Sequence, residues 1–163
     1  MVTYQEKPWL QHYDPGIPYS LAPYPEHALH TYVEEAARTH PEATATITSA
    51  RLPGLGRVSA RVNYADLNAA SDALAAALVD LGIGKGDRVA ILMPNCVQFA
   101  IAFYAILKAG GAVVALNPTL PPRRLHEHLL DSGTVAAITL SLFYDVLKQA
   151  QDGTKVQHVI VTN

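Results

Sequence analysis

Val89 to Leu107, VAILMPNCVQFAIAFYAIL, runs nineteen residues without a charged side chain. An apolar run of that length either approaches a membrane span or is buried on most sides inside a folded domain. Pro94, Asn95 and Gln98 decide between the two. Proline removes a backbone donor and stops a strand, and the polar pair beside it suits a helix start better than the middle of a span. The stretch therefore divides into a strand, Val89 to Met93, and a helix, Asn95 to Lys108. Asn95 stands where a cap belongs and Gln98 at the reciprocal capping position. A strand apolar at every position is covered on both faces, as in a parallel sheet. The helix carries Val97, Phe99, Ile101, Ala102, Phe103, Ile106 and Leu107 around much of its circumference, so it too is deeply packed. Lys108 suits the helix carboxyl terminus, and Gly110 is expected to end the helix with a positive φ or a closely approached backbone.

The flanking sequence repeats this strand-to-helix logic. Before the run, NYADLNAASDALAAALVDLG places Leu67, Ala70, Leu74, Ala77, Leu78 and Leu81 on one side of a helix that Asn63 caps and Gly82 ends. After it, Ala112 to Leu116, Val135 to Thr139 and Val156 to Val161 read as strands. Helices over Arg123 to Leu130 and Leu142 to Ala150 lie between them. Upstream, Ala45 to Thr48 and Val58 to Val62 alternate as strands, and RLPGLG supplies the turn of an antiparallel hairpin. A helix over His27 to Thr39 precedes the hairpin, ended by His40-Pro41. The expected fold is α/β: a mostly parallel sheet with crossover helices, preceded by a hairpin and an irregular arm. The arm takes residues 1–26 and the α/β unit residues 27–163. The arm is rich in prolines and rings, among them Trp9, Tyr13, Tyr19 and Tyr24. Two readings of those rings stand: an arm laid across the domain that buries Trp9 and some tyrosines, or a ring set lining a ligand groove.

Composition narrows the function. Twelve Lys plus Arg against fourteen Asp plus Glu give a net charge of -2, which predicts no broad field for nucleic acid. One cysteine, Cys96, excludes an intrachain disulfide framework and a cysteine-clustered zinc site, and fits a reduced, cytoplasmic setting. The opening MVTYQEKPWLQHYDPG lacks the basic segment and apolar run of a secretory signal.

Each chemical signal has a plainer structural reading. LGIGKGDR, Leu81 to Arg88, invites a phosphate loop, but its glycines leave a helix and lead into a strand, the reverse of the Walker order. It reads as a connector, with Lys85 a solvated loop charge. His126 and His128 stand two apart on a helix and face away from each other, so they do not share a metal. Arg123 and Arg124 read as a solvated pair. Cys96 lies near a helix start yet has no basic partner or acylation motif, so it reads as a core or half-buried thiol. No catalytic, cofactor-binding or metal-binding residue is assigned within the 163 residues.

The order of seven blocks is more specific than any one of them. They are PW at Pro8-Trp9, Tyr64 to Leu67, KGDRVA at Lys85 to Ala90, MPN at Met93 to Asn95, LKAGG at Leu107 to Gly111, NP at Asn117-Pro118 and DSG at Asp131 to Gly133. In this order the chain, from Trp9 to Asn163, resembles the amino-terminal part of the acyl-adenylate-forming enzymes, and within them the long-chain fatty acid–CoA ligases. VVALNP followed by PRRL is more similar to the acyl-CoA ligases than to the amino-acid-activating relatives. The family's usual Thr-Pro-Arg-Glu-Leu is here Pro121-Pro122-Arg123-Arg124-Leu125, without the Thr cap and the Glu.

The resemblance implies a reaction for a full-length enzyme. A carboxylate attacks the α-phosphorus of ATP to give acyl-adenylate and pyrophosphate, and the CoA thiol then displaces AMP. It implies ATP, Mg²⁺ and CoA as cofactors of that enzyme and a fatty acid as substrate. The phosphate loop, the adenine and ribose contacts and the catalytic lysine are expected beyond Asn163, so no cofactor is expected on these residues. The expected partners are those small molecules and a missing carboxyl-terminal portion of the same chain, with room for a homodimer and for peripheral membrane contact. The competing expectation is a binding or interaction module that keeps the fold and has lost the chemistry; a ligase for another carboxylic acid is the third.

Overall fold

A computed structural model describes residues 6–52, 54 and 56–163. Its centre is a four-stranded parallel sheet of β3 (Arg88–Leu92), β4 (Ala112–Leu116), β5 (Ala136–Leu140) and β6 (His158–Thr162), ordered β4-β3-β5-β6. In register, Val89 lies opposite Val113 on one side and Ala136 on the other. α2 (Tyr64–Asp80) leads into β3, and α3 (Val97–Lys108), α4 (Pro122–Ser132) and α5 (Tyr144–Gln151) are the crossovers.

The alternation of β3 assigns the layers. Val89, Ile91 and Met93 face Leu78 of α2 and Ala102, Ala105 and Ile106 of α3. Ala90 and Leu92 face Leu125 and Leu129 of α4 and Leu147 and Ala150 of α5. Val89 to Leu92 are wholly buried, which is why the sequence there is apolar at every position rather than alternating. Among the described residues no helix is long and apolar enough to cross a membrane.

Two elements precede the sheet. α1 (Thr31–Thr39) starts four residues later than the sequence spacing suggests, because Ala28 to Thr31 form a turn. The antiparallel hairpin of β1 (Thr44–Leu52) and β2 (Gly56–Asn63) is present as expected. Its turn contains Pro53 and Leu55, which lie outside the described residues.

Several local expectations are corrected. The arm does not bury its rings: Trp9 is 41% exposed, Tyr19 72% and Tyr24 68%. Among the described residues its prolines leave a short 3-10 turn, Pro8–His12, which gives the rings no repeating face to press on the domain. On α2 the buried stripe is Leu67, Ser71, Ala75 and Leu78, while Ala77 and Leu81 are exposed. Small Ser71 and Ala75 admit α3 closely, and Lys108 crosses there. Its side chain is only 6% exposed, and its ammonium donates to Asn68 Oδ1 at 2.7 Å, Ser71 Oγ at 2.8 Å and Asp72 Oδ1 at 2.6 Å. Cys96, not Asn95, occupies the N-cap of α3, without a side-chain cap bond, and Gln98 turns away to donate to the backbone carbonyl of Asn163 at 2.8 Å. Ile106 is fully buried, while Phe99 and Leu107 are half-buried.

Gly110 has φ +84° as expected. A Cβ on Gly111 would stand 3.1 Å from Ile106 Cγ2 and 3.2 Å from the Asp87 carbonyl oxygen. The helix can therefore turn at once into β4 because neither position carries a side chain.

Candidate functional site

All four strands of a parallel sheet end on the same side, and their exit loops choose a face. β3 leaves through Met93-Pro94-Asn95 toward α3, while β4 leaves through Asn117-Pro118-Thr119 toward α4 on the other face. Diverging loops on adjacent parallel strands open a crevice at the carboxyl ends, the usual ligand position in open α/β sheets. Here it is an open cavity of about 450 Å³ lined by Met93, Pro94, Asn95, Phe99, Ala115, Leu116, Asn117, Pro118 and Thr119.

The crevice walls are held by neutral hydrogen bonds. Asn117 Oδ1 accepts from Thr119 N at 2.9 Å and Thr119 Oγ1 at 2.8 Å, which closes the loop after β4. Thr139, wholly buried in β5, donates to the Leu92 carbonyl at 2.8 Å and ties the end of β3 to its neighbour. None of the nine lining residues is ionisable. Such a surface can cover apolar groups and meet an amide, but it has no cation for a triphosphate. Among the described residues no group of three or more His, Cys, Asp or Glu is placed to hold a metal ion. The crevice lining therefore does not fit ATP or its Mg²⁺, and no chemical step is assigned to it.

The opposite, amino-terminal end of the sheet gathers three of the resembling blocks. Arg88 Nε donates to the Ser132 carbonyl at 3.0 Å, Nη2 to the Gly133 carbonyl at 3.0 Å and Nη1 to the Gly86 carbonyl at 2.8 Å. Asp87 Oδ2 accepts from Gly84 N at 2.9 Å, and the Asp87 carbonyl accepts from Ala112 N at 2.7 Å. Gly86 N donates to the Gly110 carbonyl at 3.2 Å. KGDR, KAGG and DSG are thus one knot of backbone and guanidinium, in which the amides of Gly84, Gly86 and Asp87 in the Gly-rich connector are engaged within the fold.

The other weighed residues stay apart. Lys85 is exposed on its loop, and Cys96 is half-buried against the core under α3. His126 Nδ1 lies 3.0 Å from the Ala150 carbonyl, whereas His128 is exposed. Arg123 and Arg124 both meet Glu127, at 3.4 and 2.8 Å, and the hydrogen bond from Arg124 holds the Glu127 carboxyl below the ordinary 4.5. α4 starts at Pro121-Pro122 with no side-chain cap bond, in keeping with the missing Thr. Sequence reasoning missed the anchoring parts of Arg88 and Lys108. It also missed that MPN and NP meet, although both follow directly on strands.

The family model for AMP-binding enzymes matches residues 33–163. The chain belongs to the AMP-binding enzyme family. Among AMP-binding relatives, a long-chain-fatty-acid–CoA ligase of Salmonella typhimurium is 37% identical over 158 residues, covering 96% of this chain and 27% of its own. The chain thus spans about a quarter of the length of the curated relatives it matches. A solved long-chain-fatty-acid–CoA ligase of Archaeoglobus fulgidus superposes with a TM-score of 0.80 at 25% identity, over 92% of this chain and 30% of that one. A fatty acyl CoA synthetase of Mycobacterium tuberculosis gives 0.68 at 31% identity, over 82% and 26%.

Proposed function

We propose that these residues form the amino-terminal scaffold, and first subdomain, of an ATP-dependent long-chain fatty acid–CoA ligase whose remaining residues carry the chemistry. The whole protein would convert fatty acid, ATP and CoA into acyl-CoA, AMP and pyrophosphate through an acyl-adenylate. The observation that carries this reading is the 37% identity, sustained over 96% of the chain, to a relative of that activity. The crevice supports a scaffold role within it, since its lining is neutral and the charge compensation that adenylation requires must come from other residues. The same reading expects a cytoplasmic protein with Mg²⁺ as the metal of the reaction.

The test compares the purified 163-residue chain with a protein that continues past Asn163, at equal concentration, by pyrophosphate release and thioester mass. The short chain should give neither product, and the longer protein both. The longer protein should prefer long-chain over short-chain acids by at least about tenfold in kcat/KM, since each buried methylene contributes ~0.8 kcal/mol. Turnover by the short chain would refute the scaffold role. A longer protein that binds no ATP would identify an inactive interaction module, and a flat acyl-length profile a ligase for another carboxylic acid.

A further inference from the structure

We draw no further inference here: the strongest candidate, the exposed aromatic surface of the amino-terminal arm around Tyr13, Tyr19 and Tyr24, carries none because nothing in the structure shows what covers it.

Discussion

The two ends of the parallel sheet are built from the same strands and are chemically opposite. At the amino end, Arg88, Asp87, Gly110 and Gly133 draw three loops together through a guanidinium and backbone amides. At the carboxyl end the loops after β3 and β4 part toward opposite faces and leave an apolar, open crevice. The glycine- and charge-rich blocks that most resemble a phosphate site are the structural end. The blander MPN and NP stand where α/β proteins place ligands. Motif composition is thus a poor guide to chemistry until topology says at which end of a strand the motif lies.

Substitutions at four positions can break or sharpen that comparison. Ile106 is wholly buried and also touches the space above Gly111. Ile106→Ala should cost about 2 to 5 kcal/mol by urea denaturation, because it opens a cavity under α3. A smaller loss is expected from Arg88→Ala, about 2 kcal/mol, as it strips donors from the Ser132 and Gly133 carbonyls. In a chain of this size that lowers Tm by roughly 4–8 °C. Rescue by Arg88→Lys should be poor, since an ammonium cannot reproduce the planar fork. Gly111→Ala should cost about 1 to 2 kcal/mol, because the Asp87 and Ile106 carbonyl oxygens at 3.2 and 3.3 Å are backbone and yield little. Asn95→Ala, exposed on the crevice rim, should change stability by less than about 0.5 kcal/mol. If Asn95→Ala destabilised the chain as much as Arg88→Ala, the distinction between a closed structural end and an open end would fail.

The order of elements was legible because each relevant signal is local. Asn63 stands directly before the apolar period of α2, where a cap belongs, and its Oδ1 accepts from Asp66 N at 2.7 Å. Gly110 follows the last helical turn at Lys108, and its left-handed φ follows from the abrupt turn into β4. Failures came where a residue has a choice of partners. Asn95 and Gln98 fit a cap by spacing, yet Gln98 finds Asn163, sixty-five residues on, and Cys96 takes the N-cap of a helix that starts at Val97. On α2 a polar Ser71 displaced apolar candidates from the buried stripe, because a lysine from α3 required acceptors there. The arm's rings suggested burial by hydrophobicity alone, which says nothing about whether a proline-rich backbone can present them together.

By itself, the sequence determined the α/β class and the parallel strands, two things the structure bears out. Those conclusions rest on periodicity and backbone chemistry, both of which survive without coordinates. Tertiary structure alone decided the strand order β4-β3-β5-β6, and with it the face each exit loop takes. It also decided that Arg88 and Lys108 are internal anchors rather than surface charges. The physical reason is that a long cationic side chain goes wherever enough acceptors converge. Those acceptors come from segments some forty residues away in the chain, whose approach only the packed sheet and helices establish.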